Sequence, residues 1–194
     1  MEGKKMTHTL ETVQFVKESN NIEGIHRDPT EEELDQFDLF TERADVTVDN
    51  LVEFVSIYQP DAKLRDTVGD NVTVGRHRPM PGGPDVKDAL QNLLDDMANL
   101  TPFQAHAAYE LLHPFTDGNG RSGRALWYWH MVDSGKFVTL SFLHHYYYQA
   151  LDNARVAGNA VGTAELMLQR DEAHNKQITE LVDQLVESGK VKKC

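Results

Sequence analysis

The sequence predicts a mainly α-helical fold, a single-domain helical bundle with one short β-hairpin. Three observations predict it. Apolar residues recur at i, i+3 and i+4 over most of the chain. Thr, Pro and Gly stand where helices should start and stop. One valine-rich stretch between residues 65 and 84 breaks the helical period. The length of 194 residues suits one domain over 1–194, since single cores run to about 100–200 residues.

The elements follow in order. Leu10, Val13 and Val16 begin an apolar stripe that runs towards Ile22, and Gly24 is its natural stop. Thr30 with Glu33 makes a capping-box pattern, so a second helix should turn Leu34, Phe37 and Phe40 inward. Thr47 can cap a third through Leu51, Val55 and Tyr58, which Pro60 ends. Val68, Val72 and Val74 among Gly69, Asp70, Asn71 and Gly75 read as a short hairpin. The following Arg76–Pro84 run is too rich in Pro and Gly for a helix. Helical spacing returns at Val86, Leu90, Leu93, Leu94 and Met97. Thr101-Pro102 is an N-cap with Pro at N1, opening a helix through Ala105, Ala108, Leu111 and Leu112. After a glycine-rich stretch at 118–123, Ala125 to Val132 continue helically until Ser134-Gly135. Ser141 can cap a helix through Leu143, Tyr147 and Leu151. An amphipathic helix within 160–190 shows Ile178, Leu181, Val182, Leu185 and Val186, a stripe suited to core or to a partner helix.

Composition narrows the function classes. With 31 Asp and Glu against 19 Lys and Arg the net charge is −12, which argues against a nucleic-acid partner, since that calls for clustered basic residues. The acidic run at 28–54 reads as solvated helix faces. The single cysteine, Cys194, excludes an intrachain disulfide framework and a cysteine-rich zinc site. The opening M-E-G-K-K-M-T-H-T-L has no apolar signal region. No run approaches the ~18 apolar residues of a membrane helix. The expected setting is a reducing cytoplasm, the cell's own or a host's, with no membrane partner.

Residues 113–124 read H-P-F-T-D-G-N-G-R-S-G-R between two expected helices. Gly118 and Gly120 let the main chain approach a ligand closely. A turn into a helix N-terminus at Arg121 presents free N–H groups and the positive dipole end, an anion site suited to phosphate. Arg121 and Arg124 share a face and can fork two phosphate groups. Asp117 is a hard oxygen ligand that, beside phosphates, suits Mg²⁺. His113 supplies an imidazole, the side-chain type suited to take a proton from an attacking hydroxyl near neutral pH. Phe115 anchors the loop in the core. Phosphate site, metal ligand and base together suffice for phosphoryl or nucleotidyl transfer.

This stretch resembles the Fic-domain signature H-x-F-x-(D/E)-G-N-G-R-x-x-R at every fixed position. At average residue usage, eight such positions coincide by chance on the order of once in 10¹⁰ windows. The resemblance extends over about residues 10–155 and implies a Fic fold and a protein adenylyltransferase, moving AMP from ATP to a Ser, Thr or Tyr hydroxyl of a target protein. It implies His113 as general base and Asp117 as Mg²⁺ ligand. The nucleotide-holding loop would run through Phe115, Gly118, Asn119, Gly120 and Arg121 to Arg124, the last holding the γ-phosphate. The hairpin, roughly Val72 to Met80 and including Thr73, Val74 and Gly75, looks like the family's flap, which clamps a target's backbone by strand addition. Relatives called Doc carry Lys where Gly120 stands and phosphorylate instead, so Gly120 favours nucleotidyl transfer.

Ser19-Asn20-Asn21-Ile22-Glu23-Gly24 fits the same family's inhibitory-helix pattern (S/T)-x-x-x-E-(G/N). The resemblance implies that Glu23 pairs with Arg124 in the γ-phosphate's place, with Ser19 on the same helix face and the inhibitory helix at about 10–24. Removal of AMP, transfer of another phosphate-containing group, a nucleotide-binding module, and the toxin of a toxin–antitoxin pair are the alternatives. Homo-oligomerisation is a possible regulator. Among the remaining polar residues, His106 is expected in packing or at the surface, as are His144 and His145. Tyr147 and Tyr148 suit helix packing or the border of an adenine pocket, and Arg76 and Arg78 read as solvated flap charges.

Overall fold

The computed structural model of the protein describes residues 8–75, 77–135 and Leu151. The described elements are almost entirely helical: α1 (Leu10–Ile22), α2 (Glu31–Thr41), α3 (Val48–Tyr58), α4 (Pro84–Asp95), α5 (Pro102–Leu112) and α6 (Asn119–Asp133), with a 3₁₀ turn at Met97–Asn99. They form one compact unit within residues 1–148. The helices expected after Ser141 and within 160–190 lie outside the described residues apart from Leu151, as do Arg76, His144, His145, Tyr147 and Tyr148. No helix among the described residues is long and apolar enough to cross a membrane.

The helix starts follow their caps. The side chains of Thr9, Thr30, Thr47 and Thr101 each accept from a backbone N–H of the first turn. Full capping boxes form at Thr30/Glu33, Thr47/Asn50 and Thr101/Gln104. Each cap satisfies N–H groups that no intrahelical carbonyl can reach, at about 1 kcal/mol apiece. Helix α1 ends on a Schellman turn: Ile25 N donates to Asn20 O at 2.9 Å, with Gly24 at φ 76° in the left-handed conformation that favours glycine.

Helix α6 is the centre of the bundle, packing on α5, α2, α3 and α1. It therefore buries residues around its whole circumference, from Asn119 and Arg121 through Leu126 to Met131, rather than along one stripe. Between α1, α2 and α6 the rings of Phe15, Phe37 and Tyr128 stand 4.9–5.1 Å apart, Tyr128 edge-on to the other two. Between α2 and α3, Phe40 meets Phe54, which stacks on Tyr58 at 4.5 Å. Burying each such ring contributes about 1.5–3 kcal/mol, so α1 is bonded into the core.

The valine-rich stretch is a very short hairpin. Among the described residues it forms no longer strand, and its pairing is the antiparallel bridge Val74–His77, with Gly75 at φ 59°. The hairpin stays a tight turn because Val72, Thr73 and Val74 are at least partly exposed and, among the described residues, no further strand offers a buried face to set a longer register.

Candidate active site

The loop from His113 to Gly118 is built mainly from main-chain geometry. His113 caps α5 in the left-handed conformation, φ 49° and ψ 64°, and is the only described non-glycine residue at positive φ. That conformation costs a residue with a Cβ roughly 1–2 kcal/mol. Phe115, wholly buried, pairs antiparallel with Leu64. Asn119 then locks the loop from inside: its Oδ1 accepts from Phe115 N and its Nδ2 donates to Phe115 O, both at 2.8 Å. Both polar ends of Asn119 thus shape the loop, and the Phe115 ring is buried in the core.

Helix α6 begins at Asn119, two residues before the expected Arg121, because Gly118 at φ 77° serves as its N-cap. A Cβ on Gly118 would press on Val55 Cγ1 at 3.3 Å and Gln59 Cβ at 3.4 Å. Ser122 Oγ donates to Gly118 O at 2.9 Å and lies 2.7 Å from the Tyr109 hydroxyl, so the buried first turn is braced by α5. Further along, a Cβ on Gly123 would meet Tyr109 Cδ1 at 2.9 Å. His106 Nδ1 donates to Gly123 O at 2.9 Å. His106 is buried and stacked on Trp127 at 4.8 Å, which places it in packing rather than at the surface. Burial pushes its pKa down to about 3, against the raising effect of the Gly123 hydrogen bond.

The two arginines of the loop are drawn to different helices. Arg124, 1% exposed, donates from Nε to Ser19 Oγ at 2.9 Å, and from Nη2 to Ser19 O at 2.9 Å and Glu23 Oε1 at 2.6 Å. A Cβ on Gly120 would collide with that same Glu23 oxygen and come within 3.0 Å of Arg124 Nη1. The Glu23 carboxylate therefore rests against the glycine in the first turn of α6, at the positive end of its dipole. Arg121 turns instead to α3: its guanidinium lies 5.6 Å over the Tyr58 ring, and Nη2 donates to Gln59 Oε1 at 3.0 Å.

Asp117 completes the group. Its Oδ1 accepts from Gly118 N at 2.6 Å and its Oδ2 from Gln59 Nε2 at 2.7 Å. Gln59 thus bridges Asp117 and Arg121, with one amide end on each. Sequence reading missed Gln59, which was only the residue after a helix end. It also missed Arg65 and His77. Arg65 is fully buried and reaches His113 O and Leu112 O at 2.7 and 2.9 Å, while His77 Nε2 donates to Leu111 O at 2.7 Å. These side chains satisfy the last carbonyls of α5, at the negative end of its dipole.

The residues fit an anionic ligand with a hard cation. Arg121 Nε is buried without a hydrogen-bond partner among the described residues, and Gly120 leaves room at the helix end where a carboxylate now lies. Among the described residues no group of three or more His, Cys, Asp or Glu could hold a metal ion. A cation at Asp117 would take its remaining ligands from phosphate oxygens and water, as Mg²⁺ does.

The family model described as Fic/DOC family matches residues 18–131. The match spans α1 from just before Ser19 to the last turns of α6, a narrower stretch than 10–155. No curated protein matches the chain significantly.

Proposed function

The chain belongs to the Fic/DOC family, which implies a Fic-type transferase, and we propose that it is a protein adenylyltransferase held off by its own Glu23. The observation that carries the reading is the Glu23 carboxylate lodged between Gly120 and Arg124 at the start of α6. An anion already rests where the helix dipole, the glycine cradle and a buried guanidinium favour phosphate. In the active form a terminal phosphate of ATP takes that place, and Arg124 exchanges its carboxylate for a phosphate partner.

In the transfer, His113 accepts the proton of a target Ser, Thr or Tyr hydroxyl as that oxygen bonds to the α-phosphorus of ATP. The bond from the α-phosphorus to the bridging oxygen breaks, pyrophosphate leaves, and AMP remains on the target. The main chain around Gly118 and Gly120 holds the phosphates, and Arg121 adds positive charge beside them. Asp117 would hold Mg²⁺, which neutralises phosphate charge, once Gln59 gives up its hydrogen bond. Val72–Gly75 would seat the target backbone: a turn with one internal bridge leaves main-chain groups for strand addition. The cytoplasm is the compartment that fits ATP as donor.

Labelled ATP and Mg²⁺ test the reading. Glu23→Gly should label itself more strongly than wild type, and Glu23→Gly/His113→Ala should not label. Equal labelling of Glu23→Gly and wild type would remove the inhibitory role, and labelling that survives His113→Ala would remove the base. Release of AMP from a modified protein without ATP would move the assignment to the reverse reaction.

A further inference from the structure

Arg65 stands apart from the other described cations. It is fully buried, and its side-chain hydrogen bonds among the described residues run to main-chain carbonyls. Nε donates to His113 O at 2.7 Å and Nη2 to Leu112 O at 2.9 Å, while Nη1 donates to Asp70 O at 3.2 Å and Met80 O at 2.9 Å. Its main chain is engaged as well, with Arg65 N donating to Pro114 O at 2.8 Å and Gly83 N to Arg65 O at 2.9 Å. Burial lowers its pKa from the ordinary arginine value, partly offset by Asp70, and a guanidinium still keeps its proton at any physiological pH.

The four carbonyls belong to two places. Leu112 and His113 end α5, and His113 holds the strained left-handed conformation. Asp70 and Met80 are the two ends of the exposed turn that contains Val72–Gly75. Those ends touch: a Cβ on Gly82 would meet Asp70 O at 2.5 Å, and Gly82 N donates to Asn71 Oδ1 at 3.0 Å. The turn therefore closes on itself at its base, and one planar guanidinium ties that base to the residue carrying the imidazole. Lysine, with a single nitrogen, cannot span the same four acceptors.

We propose that Arg65 is a positioning residue that couples the target-seating turn to the base, so that movement at Asp70–Gly82 reaches His113 through one side chain. The roles of His113 and the turn rest on the adenylyltransferase reading above. The coupling itself is a property of the fold. Engagement of a target on Val72–Gly75 would then set the His113 imidazole for proton transfer, with nucleotide binding on the far side of the loop unaffected.

The test compares Arg65→Lys with its parent, both in the Glu23→Gly background. Calorimetry with ATP and Mg²⁺ should give a Kd within about twofold of the parent, while kcat for self-labelling should fall on the order of tenfold or more, the split expected of lost positioning. Hydrogen exchange should quicken together at residues 70–83 and 113–116, leaving the first turn of α6 protected. A kcat within twofold of the parent, or faster exchange on one side alone, overturns the coupling. If Arg65→Lys does not fold, exchange in wild type under mild denaturant decides: the two segments should open as one unit, and separate opening overturns the proposal. If the Glu23→Gly parent labels nothing, the adenylyltransferase reading fails, and hydrogen exchange alone still decides the coupling.

Discussion

Two arginines of this chain are almost equally buried, Arg65 at 0% and Arg124 at 1% exposure, and they are held in opposite ways. Arg65 is fixed by four carbonyls that have nowhere to go, since each belongs to the main chain of the loop or of the turn. Arg124 is held by Ser19 and by the side chain of Glu23, itself 33% exposed. The first is a permanent joint. The second is an exchangeable contact, because a partly exposed carboxylate can return to water and leave its place to another anion. Burial alone does not make a contact permanent; what matters is whether its partner has an alternative.

The largest expected effect tests the joint. Arg65→Met should cost about 4 kcal/mol in urea unfolding, counting about 1 kcal/mol for each buried carbonyl left without a donor. Arg124→Met should cost less, under about 2 kcal/mol, because Glu23 can rehydrate. Equal losses would break the distinction. Next in size is Glu23→Gly, which should lose about 1–3 kcal/mol without nucleotide by taking the carboxylate from a buried guanidinium that keeps its Ser19 hydrogen bonds. ATP with Mg²⁺ should then raise its melting temperature more than that of wild type, since the anion restores the missing partner.

Gly120→Ala sharpens the comparison at smaller scale. The added methyl meets the flexible end of Glu23, so it should cost about 1 kcal/mol in the otherwise native chain and almost nothing in Glu23→Gly. A double-mutant cycle in urea measures that difference, and additive losses would show that the carboxylate does not rest there. The smallest effects are in the pH profile. His106, lowered to about 3 by burial, favours the folded state fully above its unfolded pKa of about 6.5, and its contribution is lost as pH falls towards 3. His8 runs the other way. The Asp38 hydrogen bond raises it despite burial, with Glu31 and Asp35 adding to the rise. Its contribution is complete below about 6.5 and is lost as pH rises through the folded value. His106→Gln should flatten the acid limb of a urea-stability profile, and His8→Gln the opposite limb.

What the sequence made legible was local. Thr30 with Glu33, Thr101-Pro102 and Gly24 act within one turn of their own positions, so spacing along the chain suffices to read them. The family was legible at 113–124 for the same reason: its motif is compressed into twelve consecutive residues. Arg65 was not, because its partner His113 lies 48 residues away and an arginine in a polar stretch reads as solvated. Gln59 was missed likewise, its reach to Asp117 crossing 58 residues. The hairpin was legible as a turn but not in its extent, because valines and glycines report turn and strand preference but not whether a neighbouring strand exists to pair with. The pairing of Arg121 with Arg124 on one face was also too simple, since α3 and α1 each draw one of them away.

Helix α1 carries a consequence through its anchoring. At one end Thr12 Oγ1 donates to Asp38 at 2.8 Å, and near the other Asn20 Nδ2 lies 3.4 Å from both carboxylate oxygens of Glu33, with Phe15 packed between. Glu23 is thereby delivered to the start of α6 as an intramolecular ligand, with an effective concentration at or above the millimolar range typical of flexible tethers. A separate inhibitory chain would fall away on dilution, whereas this carboxylate stays at the same local concentration however few molecules a cell holds. Occupancy of the start of α6 by this carboxylate is then set by the concentration and affinity of any competing anion and not by the abundance of the protein.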